Sequence, residues 1–522
     1  MQKSFIPVLF FLLCINKLTA QNVGIGTSSP ANKLHVFSAA NPLRVEGLQS
    51  GSNTDSLLTT DATGVIRKRT LNATIAAAGW ALTGNAGTNP ATNFIGTTDP
   101  QSLMFKTNNQ RSGYLDYDST RRNTSFGYKA LPSLSTGYGN SAAGFLALNK
   151  ATTGFSNTAI GDSAAYTLTT GYENVALGSN AGNAFTSGYQ NVVIGIESGK
   201  LLATGFQNVA VGYRSLATNV AGSGNIALGY KSLEDNFGSE NIALGVLAMS
   251  NNTGGSSNIA IGSQALLNNL TGFNNYAIGS NALGLVSTGN ENLAIGIKAL
   301  DSITTTNQNT AFGHYALGLQ TSSNYNTALG FQAGGFIKSG SNNTFVGYGA
   351  DVSPITLTPS NSMALGSGAT VTQNNMIRLG NTSITLIGGS VGFTTISDER
   401  VKTNVKENVP GLDFIAKLRP VTYNYSPQMM DELQGIPKGK RQYDGAKEKI
   451  RYSGFMAQEV QTAAQKTGYD FSAVSIPQNN NSLYGINYSE MVVPLVKAVQ
   501  ELKNIIEKQE LEINALKEKL KK

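Results

Sequence analysis

The sequence predicts a mostly β protein: a parallel β-solenoid, then an α+β domain that ends in a coiled coil. Three observations carry the prediction. A seventeen-residue unit recurs through the middle of the chain, the composition turns from glycine-rich to charged after Gly392, and apolar residues recur at heptad spacing toward the C-terminus.

The 522 residues include 58 Gly, and 13% are charged, against a usual charged share of about 25%. With 40% hydrophobic residues the chain has material for a core. It is therefore neither a charged disordered tail nor a coiled coil throughout, and its glycine share is far below the one in three of collagen. Residues 1–20 read as a secretory signal, with Lys3, an apolar run from Phe5 to Ile15, and Leu18-Thr19-Ala20 before the cut. The run is too short for a bilayer, which needs about 20 residues, and Leu13 is too bulky before Cys14 for a lipid-anchor site.

Cys14 is the one cysteine, so the mature chain has no thiol for a disulfide or a metal. With only His35 and His314 besides, neither a metal nor a cofactor is expected. Nothing after residue 20 reads as a membrane helix. The formal charge of +7 becomes +5 without Lys3 and Lys17 and is spread diffusely. The one dense basic cluster, Arg67-Lys68-Arg69, reads as a solvated strand end, so no nucleic-acid partner is expected. The product is expected to be secreted or displayed on the surface of a bacterium.

Residues 21–122 read as a β-rich cap or attachment region. Val23-Gly-Ile-Gly-Thr has the pattern of an opening solenoid strand, Ser56–Arg69 that of a hairpin around Thr63-Gly64, and Trp80 reads as a packing residue.

Residues 123–391 hold the repeat. NTAIG (157–161), NVALG (174–178), NVVIG (191–195), NVAVG (208–212) and NIALG (225–229) are copies of one unit. Fourteen such glycines run from Gly127 to Gly347 at intervals of 17, with one of 16, and each has Asn four residues before it. Eleven also have Gly seven before. Weaker copies end at Gly366 and Gly380. A unit this short cannot be a helical pair, and its alternating small and larger apolar residues suit a short strand with one inward face. Such units bury that face only by stacking. Gly is expected to turn the chain at the strand end, and Asn to form an amide ladder from coil to coil. Ala two before the Gly is expected to allow close approach at an axis shared between chains. Aromatics two before the Asn (Phe155, Tyr172, Tyr189, Phe206, Phe273) read as turn packing, with a sugar-stacking platform as the other reading.

The N-x-A-[apolar]-G unit resembles the head repeat of trimeric autotransporter adhesins of the YadA type. That resemblance implies a left-handed parallel β-roll in an intertwined homotrimer. The usual C-terminal membrane barrel of those adhesins is absent here.

In the segment from residue 392 to 490, Ser397 reads as a helix N-cap with Asp398 and Glu399 in the first turn. Four motifs follow in order: Ser397-Asp-Glu-Arg-Val-Lys402; Gly411-Leu-Asp-Phe with Arg-Pro-Val-Thr-Tyr-Asn-Tyr425; Ser453-Gly-Phe-Met-Ala-Gln-Glu-Val460; and Tyr484-Gly-Ile-Asn-Tyr-Ser-Glu-Met491. Together they resemble the endosialidase-type intramolecular chaperone, a self-cleaving Ser-Lys peptidase domain of phage tailspikes and fibres. The resemblance implies a trimerising domain with Ser397 as nucleophile, Lys402 as its general base and Ile396–Ser397 as the scissile bond. A lysine serves as base only when neutral, which requires desolvation. Residues i and i+5 of a regular helix do not share a face, so the pair meets only if Ser397 sits at a frayed start and Lys402 folds back, or if a neighbouring chain supplies the partner.

Residues 491–522 read as a coiled coil, with Val492, Val499, Ile506, Ile513 and Leu520 at a and Leu495, Leu502, Gln509 and Leu516 at d. β-Branched a with Leu at d favours dimers, but the preceding domain and the solenoid are expected to impose a trimer. The sequence thus points to an exported adhesin-like fibre with host, matrix or glycan as candidate ligands. The alternatives are a glycan-degrading spike on the same scaffold and an uncleaved structural fibre. A glycosidase needs two carboxylates about 5–9.5 Å apart, and the acidic residues of the array (Asp162, Glu173, Glu197 and Glu234 among them) occupy non-equivalent positions.

Overall fold

The structure, a computed structural model, describes residues 94–521 except 134, 357 and 440, and upstream of these residues 88–89 and four strands. The signal segment, Cys14 and Trp80 lie outside the described residues. The chain divides into two compact units, Met1–Gly96 and Thr97–Lys522. In the first, Val23–Ile25 pairs in parallel with Leu34–Val36. Ser56–Thr60 and Ile66–Thr70 form an antiparallel hairpin, the one the sequence predicts, and Arg67, Lys68 and Arg69 lie in its second strand.

The second unit is dominated by the solenoid. Each repeat supplies one three-residue strand, and the strands from Thr124–Phe126 to Thr344–Val346 stack in parallel one repeat apart. Val175, Ala176 and Leu177 face Val192, Val193 and Ile194, for example. The sixteen-residue repeat keeps register, with Ile226 opposite Ile242. Met363–Leu365 and Ile377–Leu379 continue the ladder. An antiparallel hairpin, Leu103–Thr107 with Gln110–Leu115, covers its first strand.

The interior is filled by the middle residue of each strand and by the corner residue four after the Gly. Ala176, Ala210 and Ala227 are buried in one core with Leu148, Leu216 and Leu233. This corrects the expectation for Ala: its methyl points into its own coil, not toward an axis between chains. A seventeen-residue coil encloses little volume, so the two positions compensate. Where the strand residue is Val193 the corner residue of the same coil is Gly199, and the larger Phe345 lies against Gly334, the corner of the coil before it. A Cβ on Gly199 would lie 2.6 Å from Val193 Cγ1, and one on Gly334 would lie 2.8 Å from Phe345 Cδ2. The residues flanking the Ala point outward, which leaves a half-exposed apolar stripe that includes Ile160, Leu228, Ile278 and Leu329.

The repeated glycines do more than turn the chain. Gly195 has φ +129°, and a Cβ there would also lie 2.5 Å from the carbonyl oxygen of Gly212 in the next coil. Apart from Gly340 at φ +106°, the second column (Gly154, Gly171, Gly188 and onward) has no such φ, so turning is not its general reason. A Cβ on Gly171 would lie 2.3 Å from the carbonyl oxygen of Gly188. Contact between coils fixes this column.

The Asn column forms the expected ladder. Asn191 Oδ1 accepts from both the backbone N–H and the Nδ2 of Asn208, each at 3.0 Å. Asn191 Nδ2 donates to Asn174 Oδ1 at 3.0 Å and to Gly205 O at 2.8 Å. The fourteen Asn side chains are buried from Asn123 to Asn343, and at Asn191 both ends of the amide have partners. Leaving a buried polar group without a partner costs about 1–3 kcal/mol. Asn191→Ala, which removes the partners of the Asn208 N–H and the Gly205 carbonyl, is expected to lower the solenoid's stability by roughly 3 kcal/mol, read as a fall in its thermal unfolding midpoint.

The aromatic column is a stack of five rings, Tyr138, Phe155, Tyr172, Tyr189 and Phe206, with centroids 4.8–5.0 Å apart and planes within 9°. Face-to-face stacking covers the ring faces within the column, leaving edges to solvent, so turn packing is the reading the geometry favours over a sugar platform. Phe273 stands outside the stack, between Ser256 and Asn290, and its N–H donates to Asn290 Oδ1 at 3.0 Å.

Beyond residue 410 the chain forms a smaller α+β domain. Its core is Phe414, Val460, Ala463 and Ala464, with Phe455, Tyr469, Phe471 and Ile486 packed around them. The helices are α1 (Leu412–Ile415), α2 (Pro427–Leu433), α3 (Ala457–Lys466) and α4 (Val492–Leu520). Ser426 caps α2 and Pro427 opens it. The carboxylate of Glu501 on α4 accepts from the N–H of Leu412 at 2.7 Å and so joins α4 to the start of α1. The predicted heptad seam lies on one unbroken 29-residue helix. Its Val499, Leu502, Ile506 and Ile513 are about half exposed in the single chain.

Candidate functional site

Ser397 and Lys402 lie in an exposed segment between the solenoid and the α+β domain. Only one turn of 3-10 helix forms there, Glu399–Val401, and Lys402 resumes extended backbone at φ −94°, ψ 124°. The cap of that turn is Asp398, not Ser397: its carboxylate accepts from the N–H of Arg400 at 2.9 Å. The correction has a chemical consequence, because the Ser397 hydroxyl is left outside the turn. The i, i+5 objection holds for a regular helix, and this segment is not one. With the chain turned once and then extended, Lys402 reaches back and its Nζ donates to Ser397 Oγ at 2.7 Å.

Asp398 and Arg400 form a bidentate pair beside the dyad, with Arg400 Nη2 2.6 Å from Asp398 Oδ2. The guanidinium hydrogen bonds hold the Asp398 carboxyl below its ordinary range. Among the described residues, every hydrogen bond of 397–402 is made within that segment. Val391, Phe393, Ile396, Val401 and Val405 around it are strongly exposed, Phe393 at 94%. The Lys402 side chain is exposed as well.

The other three motifs converge on one another. Val421–Tyr423 pairs with Tyr452–Gly454, and Tyr488 OH accepts from the N–H of Phe455 at 3.0 Å. A Cβ on Gly454 would lie 2.1 Å from Tyr488 OH, so the glycine of the third motif makes room for the tyrosine of the fourth. Burial pushes the Tyr423 hydroxyl up to about 12, helped by its hydrogen bond to Tyr425.

A cleft of about 520 Å³ lies between the last coils and residues 436–441, lined by Tyr315, Gln332, Tyr348, Asp301, Asp351 and Arg441 among others. Its carboxylates do not have matching roles. Asp351 accepts from the N–H groups of Phe336 and Val352, each at 2.7 Å, while burial pushes Asp301 above its ordinary range. Among the described residues no cluster of His, Cys, Asp and Glu is placed to hold a metal ion. Among them also, no helix is long and apolar enough to cross a membrane.

Sequence reasoning missed Asp431 and Arg441, which form a buried ion pair at 2.7 Å. Neither belongs to a motif, and only their burial against the last coils sets them apart from the neighbouring surface charges.

Residues 397–469 match the family described as chaperone of endosialidase. The match begins at Ser397 and takes in the second and third motifs. A search of curated proteins returns no match to the chain. Together, the family match and the fold define a β-solenoid rod joined to an intramolecular chaperone domain.

Proposed function

We propose that the chain is an exported, homotrimeric, adhesin-like surface fibre with head repeats of the YadA type. Its C-terminal domain gathers three chain ends and then severs Ile396–Ser397. The observation that carries this reading is the 2.7 Å contact between Lys402 Nζ and Ser397 Oγ at the start of the family match. The exposed apolar residues of 391–405, the outward stripe of the solenoid and the bare seam of α4 give three chains surfaces to bury against one another.

Packing of three copies around 391–405 desolvates Lys402 and favours its neutral form. Neutral Lys402 then takes the proton of Ser397 Oγ, which attacks the carbonyl carbon of Ile396. The C–N bond breaks, and the Lys402 ammonium returns the proton to the departing amine of Ser397. Water hydrolyses the resulting ester, leaving a carboxylate on Ile396 and restoring the hydroxyl of Ser397. Bringing the ends together first suits a rod built from stacked contacts, which folds slowly and exposes edges on the way.

Mass measurement on the purified full chain tests the proposal. Under native conditions the mass is expected to be three times that of one chain. Under denaturing conditions each chain is expected as two pieces that meet at 396/397. A full-length monomer in both measurements overturns the reading, and an uncut trimer reduces it to a structural fibre.

A further inference from the structure

The part of the chain that cleavage would free also grips the part it would leave. Residues 386–396 make no hydrogen bond to either side among the described contacts, whereas 431–447 and 479 bind the last coils directly. On the rod, Thr382 donates to Asp431 Oδ1 at 2.9 Å. Arg441 pairs with the same Asp431 and donates to Thr370 Oγ1 at 2.9 Å and to the carbonyl of Gly368. Tyr443 closes the other oxygen of Asp431 at 2.5 Å. Ser353 donates to the carbonyl of Gln434 at 2.5 Å, and Asn479 Nδ2 to that of Thr372 at 2.8 Å. Lys447 reaches the carbonyl of Ile384 at 3.0 Å.

Asp431, Thr382 and Gln434 are at most 2% exposed. Gly435 sits so close to Ile355 of the rod that a Cβ would lie 2.2 Å from its Cδ1. Arg378 of the rod is partly buried near Arg441, and the Asp431 carboxylate offsets both cations. One buried anion thus faces a guanidinium from each side of the cut.

We propose that breaking the 396–397 bond does not release the C-terminal domain, which stays as a non-covalent cap on coils 351–384, held by the Asp431 cluster. For the natural cut this rests on the cleavage reading above. The contacts themselves do not depend on which bond is broken. Three such attachments in one trimer would reinforce one another by effective concentration.

The experiment separates the two readings. In the full chain carrying Ser397→Ala, residues 388–393 are replaced by a site-specific protease sequence, the chain is cut there, and the halves are followed by gel filtration. The halves are expected to co-elute. Asp431→Ala, which leaves Arg378 and Arg441 facing each other, is expected to raise the separated fraction at least tenfold. Thr382→Val does the same test from the rod side with the C-terminal domain unaltered, and a several-fold rise is expected. Near-complete separation of the parent halves overturns the proposal, as does unchanged co-elution in both variants. In the chain with Ser397 intact, absence of a natural cut sinks the cleavage reading and leaves the protease arm valid.

Discussion

Chain carrying Ser397→Ala is expected to run in denaturing electrophoresis as a single full-length species, with the 126-residue piece 397–522 gone. The effect is all or none, because among the described residues no other hydroxyl stands in the place of Ser397 Oγ against Lys402 Nζ. Lys402→Met, which keeps the bulk of the stem but has no nitrogen to accept a proton, is expected to give the same result. Asp398→Ala is the informative contrast. It removes the cap of the 3-10 turn and the partner of Arg400 but leaves nucleophile and base in place. Slower cutting is therefore expected, not its loss. Persistence of the piece in Ser397→Ala would sink the assignment of the nucleophile, and a native trimer in the same sample shows that assembly does not wait for chemistry.

The second large effect falls in the rod. Gly195→Ala puts a methyl 2.5 Å from the carbonyl oxygen of Gly212, and both partners are backbone in stacked coils. Neither can withdraw without breaking the ladder on which the neighbouring coils rest. Backbone strain of about 1–3 kcal/mol adds to overpacking of about 1–3 kcal/mol, so a loss of roughly 2–6 kcal/mol is expected. Gly349→Ala is the control. Its φ is +57°, but nothing lies within 4 Å of the added Cβ. Only a left-handed conformation is imposed there, at a cost of about 1–2 kcal/mol. Thermal unfolding of the two variants followed by circular dichroism should show a much lower midpoint for Gly195→Ala. Equal midpoints would mean that the Gly column serves turning alone.

Much of this protein is legible because its sequence repeats itself. The period, the strand within each unit and the Asn ladder follow from fourteen copies of one pattern, since equivalent residues in stacked coils must meet their own kind. The roles inside the coil were less legible. Ala read as a residue of the axis between chains, yet its place is set by the small enclosed volume, which appears only when Val193 is seen against Gly199 and Phe345 against Gly334. The reason for the second glycine column was not legible, because chain pattern reports φ preference better than distance to another coil. At the candidate site, Ser397 and Lys402 were found through motif and order. Their contact was not, because it depends on a helix ending after one turn.

Sequence alone thus determined the β-solenoid class, the repeat boundaries, the position of the α+β domain and the identity of the candidate dyad. Local periodicity and short motifs suffice for those. Tertiary structure decided which side chains fill the coils, which residue caps the turn beside Ser397, and how Asp431 and Arg441 bind the last coils to residues beyond the proposed cut. The last of these depends on contacts between residues 49 to 107 positions apart in the chain. No local pattern encodes such distances, because they exist only once the chain has closed on itself and placed a buried charge beside the groups that satisfy it.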